Sequence, residues 1–163
     1  CWQIALKSEN TPSAIALSRQ KVAYINPTNS GENKCEKGAY VVKITSHESN
    51  VTIVASGTEV ELALKVQEKL KENNIDSKVV SMPCMELFDK QPKEYRRDIL
   101  EENSLIVTLE AGSIMSWQKY IKDKGFNLGI DKFGESAPYK EVYKHFKLSE
   151  EDITNFIQKK LRE

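Results

Sequence analysis

The sequence lacks an excess of charge of either sign, long apolar runs and a leader-like start. Its 163 residues include 24 basic and 24 acidic side chains, which gives a formal net charge of zero. Because these charges are interspersed, no basic stretch predicts binding to nucleic acid or to an anionic membrane. No apolar run approaches the roughly 20 residues that a membrane-spanning helix needs. The first residues, CWQIALKSEN, lack the basic and then apolar segments of a secretory signal.

Cysteine and histidine are also scarce. The three cysteines, Cys1, Cys35 and Cys84, are widely spaced and form no CxxC pair, so the sequence favours neither a disulfide framework nor a zinc site. A cytoplasmic, reducing setting is the simplest expectation. Neither of the two histidines, His47 and His145, has an obvious Ser or Cys nucleophile and a third orienting group. The residues alone therefore predict no catalytic triad and no metal centre.

The start of the chain indicates a fragment of a longer protein. It opens on Cys-Trp without an initiator methionine, and WQIAL is typical of the end of a helix. In the next segment, TPSAIALSRQ, residues 12–18 are predicted to form a short buried strand. Residues 21–38 are polar and contain Pro, Asn, Gly and Ser, which indicates a linker. We expect a domain boundary near residue 38.

From residue 39 onwards, predicted strands alternate with helices. The β-branched run VTIVAS (51–56) predicts a strand buried on both faces, and GTEVELALKVQEKLKENN after it has the apolar stripe of an amphipathic helix. Further helices are expected around Pro92, over 113–125 and at the end of the chain. The remaining strands are predicted at 39–45, 77–82, 104–111 and 126–130. This alternation predicts an α/β fold of three layers, α/β/α, around a mostly parallel sheet.

Three pairs of side chains predict helix ends. Thr58 and Glu61 have capping-box spacing, in which a hydroxyl and a carboxylate satisfy each other's free backbone donors. The two asparagines at 73–74 supply a helix stop. Ser149 and Asp152 are predicted to cap the last helix.

Three positions at strand ends are candidates for ligand contact. Gly57 and Thr58 form a tight turn before a helix, where free N–H groups can bind an anion or merely connect two elements. Glu110 ends a strand in a similar turn, where capping or packing is favoured over orienting a partner. Arg19 follows an apolar segment, and its planar guanidinium can bind phosphate or form a structural ion pair. The residues alone leave these alternatives open.

Six stretches of the chain resemble one known family. They are PSAIALSRQ, KGAYVV, ASGTEVELAL, VVSMPCMELFDKQPKEYR, EAGSIMSW and GIDKFGESAP, and they occur in the order found in transketolases. VVSMPCMELFDKQP and DKFGESAP are highly specific, because related thiamine enzymes such as the pyruvate dehydrogenase β chain have different versions. The resemblance covers nearly the whole chain and places it in the C-terminal part of a transketolase.

The resemblance implies a domain organisation. Residues 1–20 resemble the tail end of the pyrimidine-binding domain, 21–38 a linker, and 39–163 the complete C-terminal domain. In the family that domain has a five-stranded mixed sheet, mostly parallel, between layers of helices. KGAYVV is then the candidate for the antiparallel strand.

The resemblance also implies an activity for the full-length enzyme. Transketolases transfer a two-carbon ketol unit between sugar phosphates in the pentose phosphate pathway, as homodimers that use thiamine diphosphate and Mg²⁺. The family's catalytic, cofactor and metal residues lie upstream of Cys1. No cofactor or metal is therefore expected to bind this chain, which is expected to be inactive alone, with a structural, dimer-contact or regulatory role. Only Arg19 carries over, because the arginine of the family's SRQ motif binds the substrate's phosphate.

Two other hypotheses fit the same residues. The chain could be a stand-alone binding or regulatory module with an anion site at the Gly57–Thr58 turn. It could also be one half of a split enzyme, in which a separately encoded partner supplies the missing domains. Neither hypothesis calls for a nucleic acid or a membrane as partner.

Overall fold

Five strands form one mixed sheet in the order β1-β3-β2-β4-β5. The computed structural model describes residues 1–25, 32–101, 103–121 and 125–163. The strands are β1 (Tyr40–Ile44), β2 (Val51–Ala55), β3 (Ser77–Ser81), β4 (Leu105–Leu109) and β5 (Phe126–Leu128). β2 pairs in parallel with β3 and β4, β5 pairs in parallel with β4, and β1 pairs antiparallel with β3. The expected mostly parallel five-stranded sheet, with KGAYVV as its antiparallel strand, is confirmed.

Helices cover both faces of this sheet. The described α-helices are α1 (Trp2–Lys7), α2 (Glu59–Glu72), α3 (Met85–Asp89), α4 (Lys93–Leu100), α5 (Tyr139–His145) and α6 (Glu150–Arg162). Two 3₁₀ segments, Lys34–Lys37 and Met115–Tyr120, complete the described helices. Within the described ranges, none of these helices has the length and apolar character to cross a membrane.

The core divides into two clusters, one on each face of β2. Every residue of β2 is buried, because α2 and α6 cover one face and α3, α4 and Met115–Tyr120 cover the other. On the first face, Ile53 packs with Leu70 of α2 and Ile157 of α6. On the second face, Val54 packs in the same cluster as Trp117. This arrangement is the predicted α/β/α sandwich, and it explains why VTIVA is apolar without alternation.

Two of the three predicted helix ends are confirmed. Asn73 ends α2, and its side-chain amide donates to the Lys69 carbonyl at 2.7 Å. The Ser149 hydroxyl accepts the Asp152 N–H at 3.2 Å at the start of α6. The capping box at Thr58 is wrong. Its hydroxyl donates instead to the carboxylate of the next residue, since the backbone of Thr58 is already helical.

The strand predicted over 12–18 is also wrong. These residues belong to no helix or strand, and the Leu17 side chain is 73% exposed. A strand needs a neighbouring strand to pair with, and an apolar run without such a partner stays irregular. Within the predicted linker, Lys34–Lys37 forms a 3₁₀ turn, and residues 26–31 lie outside the described ranges.

The helix predicted over 113–125 is shorter than expected. A 3₁₀ segment spans Met115–Tyr120, and residues 122–124 lie outside the described ranges. Trp117 and Tyr120 are both buried in the second cluster. Residues three apart are aligned in a 3₁₀ helix, so this local geometry points both rings into the core. The break expected at Pro92 is confirmed, since it separates α3 from α4.

Candidate functional site

The topology places a crevice at the carboxyl ends of β2 and β4. These strands are neighbours, with Ala55 opposite Leu109. The chain leaves β2 towards α2 on one face and leaves β4 towards Met115–Tyr120 on the other. In open α/β sheets, ligands bind where adjacent strands diverge in this way. The residues that follow the two strands are therefore the first place to look for a site.

Hydrogen-bonded side chains lie at this crevice. The Glu59 side chain, in a residue only 6% exposed, accepts the Thr58 hydroxyl at 2.8 Å and the Tyr143 phenol at 2.5 Å. Glu110 accepts the indole N–H of Trp117 at 3.2 Å and the hydroxyl of Ser56 at 3.4 Å. Tyr143 lies on α5, so the network ties the C-terminal helices to the edge of the sheet. We call these six side chains the edge network.

The edge network is acidic and partly desolvated. Burial raises the pKa of Glu110; the hydrogen bond from Trp117 opposes this effect, and the charge of Glu59 adds to it. Burial likewise raises the pKa of Tyr143, and its hydrogen bond to Glu59 raises it further. The phenol therefore stays protonated and donates to the carboxylate. Glu110 has a packing role, because its hydrogen bond orients the Trp117 ring. Packing and capping were the two roles that the sequence favoured for this residue.

This geometry does not favour an anion at the Gly57–Thr58 turn. Gly57 has φ +54°, as a tight turn into a helix requires. The carboxylate of Glu59 lies against Thr58, and that of Glu110 contacts the hydroxyl of Ser56 on the other side of the turn. Two carboxylates near the helix N-terminus oppose the attraction that its free N–H groups exert on an anion. The turn connects a strand to a helix, and its polar groups are used within the fold.

Arg19 lies away from any secondary structure. It is exposed, it follows the irregular residues 12–18, and no hydrogen bond or ion pair holds it within the described part of the chain. Residues slightly further along do contact the domain, because the Ala23 N–H donates to Glu61 on α2 at 3.1 Å. Among the described residues, Arg19 therefore has no hydrogen bond or ion pair to a second predicted site residue, and its guanidinium is free.

The described residues do not fit the cofactor and metal that the resemblance implies for the full-length enzyme. No three or more His, Cys, Asp or Glu side chains of this part of the chain are grouped as a metal site. At the crevice, where a pyrophosphate would need free donors, the hydroxyl and indole groups already donate to the carboxylates of Glu59 and Glu110. No chemical step through thiamine diphosphate or Mg²⁺ is therefore assigned to these residues.

Sequence reasoning singled out Thr58 and Glu110 and missed the other four members of the edge network, among them Glu59 and Tyr143. Glu59 resembles the other charged residues of α2, but its position in the first turn directs it against the sheet edge, where it is buried. Tyr143 is 84 residues away in sequence from its partner Glu59. No local pattern could reveal this pair, since only the packing of α5 brings the two together.

The comparisons with known proteins agree with this fold. The family model described as "Transketolase-like TK C-terminal domain" matches residues 38–149. The transketolase of Aquifex aeolicus is 38% identical over 161 residues, which cover 98% of this chain and 23% of that protein. A solved transketolase from Leishmania mexicana superposes with a TM-score of 0.88 at 34% identity and covers 99% of this chain and 23% of that one.

A further solved structure was determined with a ligand. It is the transketolase of Pichia stipitis in complex with sedoheptulose 7-phosphate, with a TM-score of 0.72, 31% identity and coverage of 79% of this chain and 18% of that one.

Fold and motifs together define an α/β domain of the transketolase C-terminal type. The chain belongs to the transketolase family, and it spans less than a quarter of the A. aeolicus relative.

Proposed function

We propose that this chain is the C-terminal part of a transketolase that transfers a two-carbon ketol unit between sugar phosphates. The observation that carries this proposal is the extent of the match. It covers 161 residues of this chain at 38% identity, so it continues beyond the C-terminal domain through the linker into the SRQ segment. A domain borrowed for another purpose would not need that upstream segment.

In this proposal the catalytic centre belongs to the upstream domains. The full-length enzyme works in the cytoplasm as a homodimer with thiamine diphosphate and Mg²⁺, and those domains hold both. The described residues offer no site for either group, which supports a structural, dimer-contact or regulatory role for the C-terminal domain. The chain by itself is then inactive.

Transplantation into a relative tests the proposal. The matching C-terminal residues of the A. aeolicus transketolase are replaced by this chain, and ketol transfer from a ketose phosphate to an aldose phosphate is measured. We expect turnover by the chimera and none by the 163-residue chain alone. A folded, dimeric chimera without turnover would contradict the proposal. So would micromolar binding of thiamine diphosphate to the isolated chain in a calorimetric titration.

Arg19 is proposed to bind the phosphate of the substrate in the full-length enzyme. Its guanidinium is exposed and free of partners in the described part of the chain, and its fork matches two phosphate oxygens. Arg19→Ala in the chimera removes charge-assisted hydrogen bonds worth roughly 1.5–3 kcal/mol. We expect the KM for phosphorylated donors to rise by about tenfold or more, with little change for a non-phosphorylated ketol donor.

The matched control for Arg19 is Lys21→Ala, which removes an exposed positive charge two residues away. This variant should behave like the unmodified chimera with both donors. Equal losses for phosphorylated and non-phosphorylated donors in Arg19→Ala would instead assign the arginine a structural role.

A further inference from the structure

A groove of about 320 Å³ lies at the carboxyl end of β5. The loop at 129–132 forms one wall, and the turn at 145–147, between α5 and α6, forms the other. The edge network does not line it. Its volume lies near the lower end of the range for small-molecule sites, roughly 300–1,000 Å³.

The first wall of the groove is fixed by close backbone packing. A Cβ atom at Gly129 would lie 2.5 Å from Cγ2 of Ile114 and 2.8 Å from the carbonyl oxygen of Gly112. The Ile130 N–H donates to that same carbonyl at 2.8 Å. The loop after β5 is therefore held against the loop after β4, and it presents Lys132 from a defined position.

The second wall is a helix terminus with a lysine in an unusual conformation. Lys147 has φ +57°, and its N–H donates to the carbonyl of Lys144 at 3.1 Å. The next residue, Leu148, is buried and donates to the carbonyl of Tyr143 at 2.8 Å. This pair of bonds is a Schellman motif, whose left-handed position is normally glycine. A lysine there costs about 1 kcal/mol or more, and this residue is one of those that line the groove.

The groove carries positive charge that the fold leaves uncompensated. Within the described ranges, neither Lys132 nor Lys147 has a carboxylate within 4.0 Å, whereas Lys65 on α2 pairs with Glu61 at 3.0 Å. The acid that lines the groove, Asp131, is engaged within the fold, because its Oδ1 accepts the Ser113 hydroxyl and the Ile114 N–H, both at 3.1 Å.

Aromatic groups add to the recognition surface beside these lysines. The Lys132 ammonium lies 5.0 Å from the centroid of the Phe146 ring, which holds it near the groove floor. The imidazole of His145 packs edge-on against the same ring at 4.9 Å and offers a further ring N–H. Among the described residues, the groove therefore combines two lysines that lack a carboxylate partner with the half-buried ring of Phe146.

We propose that this groove binds a small phosphorylated molecule. The phosphate lies between the ammonium groups of Lys132 and Lys147, and the body of the molecule lies along Phe146. The volume of about 320 Å³ has room for the body of a phosphomonoester as well as for its phosphate. This binding is independent of the phosphate contact proposed for Arg19.

Amide NMR titrations of the 163-residue chain test this inference. The three probes are inorganic phosphate, ribose 5-phosphate and adenosine monophosphate, each at constant ionic strength. We expect saturable shifts confined to 129–132 and 145–147, with both phosphomonoesters binding more tightly than phosphate. Shifts that do not saturate, or inorganic phosphate binding as tightly as both esters, would overturn the proposal.

Variants that remove positive charge distinguish binding at this groove from nonspecific electrostatic attraction to the whole chain. Lys132→Met with Lys147→Asn is expected to weaken ester binding by at least about tenfold, since each lost bond to phosphate is worth roughly 1.5–3 kcal/mol. Asparagine suits the positive φ at residue 147. The control is Lys71→Met with Lys140→Met, which removes the same charge from exposed positions outside the groove.

The outcomes of the two double variants are distinct. Equal weakening in both would show a general electrostatic effect and overturn the assigned site, and so would unchanged binding in the groove variant. Lys132→Met alone, at an exposed loop position, keeps the test valid if the double variant does not fold. It should weaken ester binding by several-fold and leave the circular dichroism melting curve unchanged.

Discussion

At the scale of single residues, the edge network shows how the fold uses buried charge. Glu59 is 6% exposed, and two hydroxyl groups donate to its side chain. A buried carboxylate that loses a donor has no water to replace it, so each donor matters more than it would at the surface. Tyr143 is the donor whose loss can be tested most directly.

Tyr143→Phe is predicted to destabilise the chain by about 1–3 kcal/mol, the usual effect of removing a hydrogen bond from a buried charged group. The ring and its edge-on contact with Tyr139 at 6.1 Å remain, so only the hydroxyl is lost. Urea unfolding followed by circular dichroism measures the effect. Tyr139→Phe is the control, because Tyr139 is 53% exposed. Equal stability of the two variants would show that the bond to Glu59 contributes nothing.

At the scale of elements, the entry of the linker into the domain depends on one glycine. Gly38 has φ +80°, and a Cβ atom there would lie 2.2 Å from the backbone nitrogen of Phe88 and 2.4 Å from the carbonyl oxygen of Cys84. The carbonyl of Gly38 also accepts the N–H of Cys84 at 3.1 Å. The residue therefore sets the contact between the start of β1 and the start of α3.

Gly38→Ala is predicted to lower the free energy of unfolding by about 2–5 kcal/mol. The alanine would be strained in the left-handed conformation, and its Cβ would also clash with the backbone of α3. Gly134→Ala is the matched control, because nothing lies within 4 Å of a Cβ atom at that position. Its stability should stay within about 0.5 kcal/mol of the parent chain. Thermal unfolding compares the three proteins, and a tolerated Gly38→Ala would contradict the packing described.

The accuracy of the sequence-based predictions also differs from one strand or helix to another. The strand at 51–56 was predictable because a strand buried on both faces is a nearly continuous apolar run, and those at 77–82 and 104–111 because each has a β-branched apolar centre. The strand at 12–18 was not, because the same pattern forms a strand only where a partner is present. The helix over 113–125 was predicted too long, since its apolar spacing also fits the 3₁₀ geometry that the core selects.

The candidate sites were less predictable than the fold. The turn at Gly57 was found from its local pattern, but its electrostatics depend on Glu59 and Glu110, which come from two different elements. The groove beyond β5 was not found, because Lys132 and Lys147 meet only through the packing of two loops. Local sequence patterns predict elements, whereas these sites depend on long-range contacts.

At the scale of the whole molecule, stability should vary with the proton on Glu110. Burial raises the pKa of this carboxyl above its ordinary value of 4.5. The folded state therefore holds the proton more tightly than the unfolded chain does. The contribution of this group to the free energy of unfolding is highest below its ordinary pKa, and it falls as the pH rises through the folded-state pKa.

Glu110→Gln is predicted to remove this dependence while keeping an acceptor for the Trp117 indole. The variant should match the parent chain at about pH 4 and be the more stable of the two at about pH 8. Urea unfolding across this range measures the difference. Glu135→Gln, at an exposed loop position, should show no such trend. A variant that is less stable by the same amount at every pH would contradict the prediction.

The direction of β1 has a consequence for how this domain is joined to the chain before it. Tyr40 pairs with Ser81, so an antiparallel first strand begins at the carboxyl edge of the parallel sheet. A parallel first strand would have started at the opposite edge. The linker therefore enters at the edge of the sheet where the chain leaves β2 and β4 towards opposite faces. The first turn of α2 lies at the same edge, and Ala23 is hydrogen-bonded to it. The orientation of one edge strand therefore determines the edge of the sheet at which the preceding residues enter β1.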